Sequence, residues 1–295
     1  MMKKIMFLLL AIAPVVHEAE AGLWDKLKNV FVNKDAPKPP TIKVLITHET
    51  DNVNMEVKGD YNIYDPYKNE TLGAYFGGKA YPVKAISTGI RWGEEFPGVY
   101  QLQVMPDNQN VTTVVNGKEY KGIINVYDIG GAISIVNEIK IEDYIQSIMT
   151  ATYSKDLPEE ALAAAAIAAR TQALYLASSS TNRYWNVDAD EVNYHGVTRR
   201  PSDNLARALA STKYMVLSQT SAYEGVITPF PISIVTENGK PAKAQKKLIL
   251  ADAIAMAQKG ENAARILQKA FPDAKIELVH APEMPNTKQV ADSRY

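Results

Sequence analysis

The sequence contains no cysteine. Disulfides, thiolate metal sites and attachment of a lipid through cysteine are therefore excluded. Histidine is also scarce: of the four, His17 lies close to the N-terminus, and His48, His195 and His280 are far apart along the chain. Because a histidine metal site needs several ligands that come together, we expect no bound metal and no cofactor.

An excess of charge of either sign is missing as well. The chain has 32 lysines and arginines against 33 aspartates and glutamates, which gives a formal net charge of −1. This balance provides no electrostatic attraction to nucleic acid or to an anionic membrane surface. We therefore expect no nucleic-acid partner. The hydrophobic share of 46% is enough to bury a sizeable core.

The apolar run near the N-terminus, from Ile5 to Val16, is short. A helix that crosses a bilayer needs about 20 such residues. Two lysines precede the run, and the small-residue triplet Ala19-Glu20-Ala21 follows it. This arrangement predicts a secretory signal peptide over residues 1–21. We expect an exported protein, periplasmic or in the cell envelope, with no transmembrane helix after cleavage.

The stretch from residue 22 to residue 40 is predicted to be a helix and a linker. Gly22 to Asn33 spaces its apolar residues as an amphipathic helix does, and the proline-rich segment from Asp35 to Pro40 is typical of a stiff linker. The helix has charges of both signs, so both a loosely docked tether and a helix on a membrane face remain open.

Residues 41–136 are predicted to be rich in β-strands, mostly antiparallel. The clearest strand patterns are Ile42–Ile46, Val83–Ile86, Val99–Val104 and Ile123–Tyr127. Turn signals separate such runs, among them Asn116-Gly117 and Gly130-Gly131.

The pattern changes to helical periodicity from residue 137 to residue 280. The strongest signal is the alanine-rich stretch Ala161–Ala177, which indicates a central helix, with Asp156 as its predicted N-terminal cap. The other predicted elements are helices at Ile141–Thr152, Asp203–Ser211, Leu248–Lys259 and Asn262–Phe271, and strands at Tyr214–Leu217 and Pro231–Val235. The fold class is therefore α+β, and residues 281–295 are a predicted unstructured tail.

Several segments from Tyr120 onward carry a family resemblance. They are Tyr120-Lys121-Gly122, Val136–Ile145 (VNEIKIEDYI), Leu157–Leu162 (LPEEAL), Ala168–Leu174 (AARTQAL), Ala255–Gly260 (AMAQKG) and Ile266–Pro272 (ILQKAFP). These segments resemble motifs of the stage II sporulation protein D (SpoIID/LytB) family, which includes amidase enhancers. The match is dense from Tyr120 to Tyr175. The resemblance implies a domain of that type, built around the long alanine-rich helix.

The resemblance also implies an activity. Family members resemble lytic transglycosylases, which cleave peptidoglycan glycan strands, or act as wall-bound enhancers of amidases. Cleavage needs a carboxylic acid that protonates the glycosidic oxygen and then accepts a proton from a muramic acid hydroxyl. Counted from Glu142 or from Pro158, the family's glutamate falls at Thr152, and a threonine cannot serve as that acid. The family's H-G-x-G-M-S-Q block is absent from Gln245–Ile254.

Three nearby carboxylates, Asp156, Glu159 and Glu160, are candidates for a relocated acid. Asp156 lies four residues after Thr152, and Glu160 matches a glutamate of the family motif. Asp156 is also the predicted helix cap, and Glu160 falls in the first helical turn, where an interaction with the helix dipole is the alternative role. Arg170 is predicted either to bind sugar hydroxyls or to form an ion pair with Glu142 or Glu160.

The remaining candidates are substrate-binding residues that the resemblance suggests. The predicted set is Tyr153, Arg170, Thr171, Tyr194 and Gly196. Tyr184 and Trp185 are aromatic residues that can stack on sugar rings or belong to the core.

Three functions follow from these observations. The first is a degenerate transglycosylase that binds peptidoglycan glycan strands in remodelling or cell division, with an amidase or division proteins as candidate partners. The second is an active lytic transglycosylase with a relocated acid. The third is a structural envelope protein that has lost contact with sugar.

Signal cleavage can be tested directly. The exported protein should begin at Gly22, because the small-residue triplet that precedes this position fits the cleavage rule. N-terminal sequencing of exported protein measures this. Lys3 and Lys4 still present in most molecules would contradict the prediction.

Overall fold

The computed structural model describes residues 39–51, 53–153, 156–219, 226–236 and 246–279. They belong to a compact unit that begins at Pro39. The predicted signal peptide, the helix predicted from Gly22, its linker up to Lys38 and the predicted tail lie outside the described residues. The division between residues 41–136 and 137–280 stays a prediction.

The first part of the described chain consists of strands. They are β1 (Thr41–Thr50), β2 (Val53–Lys58), β3 (Tyr61–Asp65), β4 (Glu70–Tyr75), β5 (Tyr81–Ile86), β6 (Gly89–Trp92), β7 (Glu94–Pro97), β8 (Gln101–Pro106), β9 (Thr112–Val115), β10 (Lys118–Tyr120), β11 (Ile123–Ile129) and β12 (Ala132–Lys140). The alternation of burial explains them: in β2, Val53, Met55 and Val57 are buried, whereas Asn54 and Lys58 are exposed.

The second part alternates helices with short strands. The elements are α1 (Ile141–Thr152), α2 (Glu159–Ser179), β13 (Val187–Asp188), α3 (Asp203–Ser211), β14 (Met215–Gln219), β15 (Ile232–Val235), β16 (Lys246–Ile249), α4 (Leu250–Gln258), α5 (Ala263–Ala270) and β17 (Ala274–Leu278). No helix in the described part of the chain is both long and apolar enough to span a membrane. The α+β fold with a β-rich N-terminal region is thereby confirmed.

The strands form two large sheets and two small ones. The order of the seven-stranded sheet is β13-β1-β12-β11-β8-β3-β4, and that of the six-stranded sheet is β10-β9-β2-β5-β6-β7. Strand β14 pairs with β17, and β15 pairs with β16. All pairs within the six-stranded sheet are antiparallel, and β1 with β13 is the parallel pair of the larger sheet.

Two predicted turns are confirmed by their backbone angles. Gly130 and Gly131 connect β11 to β12 with φ of 64° and 89°, and Asn116 and Gly117 connect β9 to β10 with φ of 47° and 82°. Two successive residues with positive φ match the right-handed twist of the strands that they join. Glycine and asparagine tolerate this region better than other residues do.

Most predicted elements agree with the structure. The bounds of α1 and α3 are those predicted, and the other predicted helices and strands fall on α2, α4, α5, β1, β5, β11, β14 and β15. Strand β8 begins at Gln101 rather than at Val99. The reason is that the carbonyl oxygen of Val99 accepts a hydrogen bond from the N–H of Ile90, and the N–H of Val99 donates one to the carbonyl oxygen of Phe96. Both bonds lie at the β6–β7 hairpin and not in the sheet that contains β8.

The predicted cap of α2 is wrong. The helix begins at Glu159, its N-cap residue is Pro158, and no side chain caps it. Asp156 lies too far before the helix to accept a bond from the first turn. Its Oδ1 instead accepts a hydrogen bond of 2.7 Å from Nδ2 of Asn204, in the first turn of α3.

Helix α2 is the centre of the second part, as predicted. All its residues from Ala161 to Thr171 are buried, and it contacts α1, α3, α4, α5, β1, β14 and β15. Alanine leaves little volume between helix and neighbour, so these elements approach it closely from every side. Close packing of this kind leaves no room for an added side chain.

Packing around α2 gives a stability prediction. Ala165→Leu should lower the free energy of unfolding by about 1–3 kcal/mol, because Ala165 is fully buried and extra methyl groups force the neighbours apart. Ala251→Leu, an exposed position of α4, is the matched control. Denaturant unfolding monitored by circular dichroism measures both, and equal midpoints would contradict the close packing.

Candidate functional site

Thr152, at the position of the family glutamate, lines a cleft of about 430 Å³. It is the last residue of α1 and is exposed. The walls of the cleft come from α1, from the middle of α2, from the turn at Glu191–Asn193 and from β15 with Thr236. A volume of several hundred cubic ångströms is typical of a small-molecule site.

Two buried tyrosines bring polar groups to this cleft. Tyr144 is 2% exposed and Tyr153 is 9% exposed, and both line the cleft. Neither hydroxyl has a hydrogen-bond partner among the described residues. Burial raises the pKa of Tyr153 to about 12 and also raises the pKa of Tyr144. Both hydroxyls are therefore protonated at neutral pH and can donate hydrogen bonds.

Gln172 of α2 adds an amide to the cleft. Its Oε1 accepts a hydrogen bond of 2.7 Å from the N–H of Ile232, the first residue of β15. Its amide nitrogen has no hydrogen-bond partner in the described part of the chain. The same side chain thus holds two walls of the cleft together and leaves a donor for a ligand.

Glu191 also lines the cleft, although it belongs to none of the motifs that resemble the family. It is the only acidic side chain among the described residues that do so. The sequence signal nearest to it is Tyr194-His195-Gly196, which resembles a Y-x-G motif of the family. Glu191 lies just before that motif, but no residue spacing indicates that it joins the cleft of Thr152.

The turn that carries Glu191 is fixed at its far end by Tyr194 and Gly196. The Tyr194 hydroxyl donates a hydrogen bond of 2.5 Å to Oδ1 of Asn137, and the carbonyl oxygen of Gly196 accepts one of 2.6 Å from Ser147. Gly196 has a φ of 73°, and a Cβ there would lie 2.1 Å from the carbonyl oxygen of Glu119. Both predicted binding residues are buried at this anchor, and neither lines the cleft.

Arg170 forms an ion pair with Glu142, one of the two roles predicted for it. Its Nε lies 2.7 Å from Oε1 and its Nη2 lies 3.0 Å from Oε2 of that carboxylate. Arg170 is fully buried. It lines a different cavity, of about 380 Å³, together with Glu142 and parts of α1 and α3.

The other predicted site residues are also engaged elsewhere. Thr171 donates to the carbonyl oxygen of Ile167 at 2.7 Å and accepts from the N–H of Leu217 at 2.8 Å. Oε2 of Glu160 accepts a hydrogen bond of 2.6 Å from the N–H of Ala263, at the start of α5. Of the predicted set, the structure therefore brings only Thr152 and Tyr153 together in the cleft.

The aromatic residues Tyr184 and Trp185 belong to a small apolar cluster on the seven-stranded sheet. Tyr184 contacts Tyr127 edge-on, and Trp185 contacts His48 in the same way, with ring centroids 5.0 and 5.1 Å apart.

Within the described ranges, no group of three or more histidine, aspartate or glutamate side chains is placed to hold a metal ion.

Comparison with known proteins identifies the family. A family model described as "Stage II sporulation protein" matches residues 130–219, which include α1, α2, α3 and Glu191. A protein of Chlamydia muridarum is 30% identical over 275 residues, 92% of this chain and 87% of that protein. The chain belongs to the stage II sporulation protein D family, as a diverged member. Membership indicates a function related to the cell wall.

Two further relatives match over shorter stretches. A Chlamydia pneumoniae protein is 36% identical over 174 residues, which is 58% of this chain and 63% of that protein. A Brachyspira hyodysenteriae protein is 32% identical over 143 residues, 48% of this chain and 38% of that protein. All three relatives are described as uncharacterized. No solved structure matches the chain.

The buried ion pair gives a testable prediction. Arg170→Ala should lower the free energy of unfolding by about 3–5 kcal/mol, because it leaves the largely buried carboxylate of Glu142 without its counter-charge. Arg207→Ala is the control: Arg207 pairs with Glu159 at the same N···O distance of 2.7 Å, but both side chains are exposed to solvent. Water screens that pair, so its loss should be small. Equal losses in denaturant unfolding would contradict this account.

Proposed function

We propose that this protein is exported to the cell envelope and binds peptidoglycan glycan strands in the cleft beside Thr152. The observation that carries the proposal is the pair of tyrosines, Tyr144 and Tyr153, which are largely buried and line the cleft with hydroxyls that have no partner among the described residues. These hydroxyls are donors that no described protein group uses, so a ligand that supplies acceptors can form hydrogen bonds with them.

The chemistry of the cleft suits a sugar chain. Apolar side chains, including Ile148, Met149 and Val192, alternate with the donors of Tyr144 and Tyr153. Sugars present both apolar C–H faces and rows of hydroxyl and N-acetyl oxygens, so they match a site that mixes apolar and polar groups. The net charge of −1 supports this neutral mode of binding rather than an ionic one.

A threonine at the position of the family's glutamate favours binding over catalysis by the family's route. A hydroxyl does not exchange a proton near neutral pH, and removal of a general acid lowers a rate by about 10² to 10⁴. The protein therefore serves peptidoglycan remodelling or cell division by holding glycan strands, with an amidase or division proteins as candidate partners.

Binding can be measured by cosedimentation of the purified protein with peptidoglycan sacculi. Tyr153→Phe should weaken binding by about fivefold, which corresponds to the loss of about one hydrogen bond of 1 kcal/mol. Phenylalanine keeps the ring and removes only the hydroxyl. Binding by the unmodified protein should persist at physiological ionic strength, because no excess of basic residues attracts the wall.

The matched control is Tyr67→Phe. Tyr67 is 92% exposed in the hairpin between β3 and β4, and it is not among the residues that line the cleft. This substitution should leave binding unchanged. Equal binding by the unmodified protein and Tyr153→Phe would place the glycan elsewhere, and loss of all binding at physiological salt would indicate attraction by charge alone.

A further inference from the structure

Glu191 reaches the cleft from a different element than the family's acid does. Thr152 ends α1, whereas Glu191 belongs to the turn after β13. Its side chain is exposed to solvent, so a strand bound in the cleft can reach the carboxylate. The cleft thus contains an acid although the position at the end of α1 has none.

Hydrogen bonds within the protein fix the backbone of the turn that carries Glu191. The N–H of Ala189, two residues before Glu191, donates to the carbonyl oxygen of Leu45 in β1 at 2.9 Å. The N–H of Tyr194 donates back to the carbonyl oxygen of Ala189, also at 2.9 Å, which closes the turn. Asn193 has a φ of 56°. A non-glycine residue stays in this left-handed region when the surrounding structure determines its conformation.

The carboxylates of Asp156 and Glu160, which the sequence suggested as the acid, lie outside the cleft. Asp156 accepts a hydrogen bond from Asn204, and Glu160 accepts one from the N–H of Ala263. Neither residue lines the cleft. A general acid must lie within hydrogen-bond reach of the proton that it transfers, so position in the cleft is the first requirement.

We propose that Glu191 is the acid and base of a glycan-cleaving activity in this cleft. The inference rests on the proposed function, because the strand must first bind beside Thr152. Protonated Glu191 gives its proton to the glycosidic oxygen as the bond from C1 of muramic acid to that oxygen breaks. The C6 hydroxyl of the same sugar then bonds to C1, and its proton returns to the Glu191 carboxylate. The products are a free sugar end and a 1,6-anhydro end, and no water is consumed.

The tyrosine hydroxyls have a part in this reaction as positioning groups. Tyr144 and Tyr153 are protonated at neutral pH, as tyrosines ordinarily are, and burial raises the pKa of each further. They can therefore hold the strand by hydrogen bonds and do not compete with Glu191 for the transferred proton. Correct placement of substrate against the acid supplies a large part of the rate in reactions of this kind.

The test is mass spectrometry of peptidoglycan incubated with the purified protein, with release of anhydro-muramic products as the readout. Glu191→Gln should lower release by at least about 100-fold, because glutamine keeps the size of the side chain but transfers no proton. Cosedimentation of the same variant with sacculi should stay as in the unmodified protein. Glu261→Gln, an exposed glutamate that does not line the cleft, makes the same chemical change and should leave release unaffected.

Other outcomes separate this proposal from the proposed function. Binding without any anhydro product from the unmodified protein would overturn the activity and leave glycan binding intact. Undiminished release by Glu191→Gln, together with loss of release in Asp156→Asn or Glu160→Gln, would assign the acid to one of those residues instead. Absence of both binding and release would overturn the proposed function as well.

Discussion

The ion pair between Glu142 and Arg170 is the interaction on which the cleft depends. It joins the first turn of α1 to the middle of α2, and these two helices supply two walls of the cleft. Arg170 also donates to the carbonyl oxygen of Met215 at 3.0 Å, and the N–H of Tyr214 donates to Glu142 at 3.1 Å. Buried charges are stable only when they are paired and hydrogen-bonded. The ion pair and its hydrogen bonds therefore fix the positions of α1, α2 and the start of β14 relative to one another.

The alanines of α2 provide the second constraint. They let the surrounding helices and strands approach the helix closely, and they contribute no polar group to the cleft themselves. The polar group that α2 contributes to the cleft therefore comes from Gln172. This side chain accepts a hydrogen bond from the N–H of Ile232 in β15, and its amide nitrogen has no partner among the described residues. Ala169 and Ala173, its neighbours on the same face of α2, line the cleft with small side chains that take up little of its volume.

Sequence patterns predicted the fold better than they predicted the site. The bounds of α1 and α3 followed from local periodicity, and both positive-φ turns followed from their asparagine and glycine residues, because these signals depend only on neighbours in sequence. The cleft depends on contacts between distant segments. Alignment of the motif pointed to Thr152, which lines one wall of the cleft. Glu191 lies on a turn that is followed by Tyr194, and the hydroxyl of Tyr194 donates to Asn137, 57 residues earlier in the chain.

Buried contacts also connect the tyrosines of the cleft to the turn that carries Glu191. The tyrosine donors belong to α1 or follow it, and Glu191 belongs to the turn that ends at Gly196. Ser147, on α1, donates to the carbonyl oxygen of Gly196 at 2.6 Å, so the end of the turn is attached to the helix that carries Tyr144. The Tyr194 ring also packs against Tyr144, with 5.6 Å between centroids. The position of this turn relative to the helix that carries Tyr144 is therefore set by buried contacts within the protein, whatever the cleft binds.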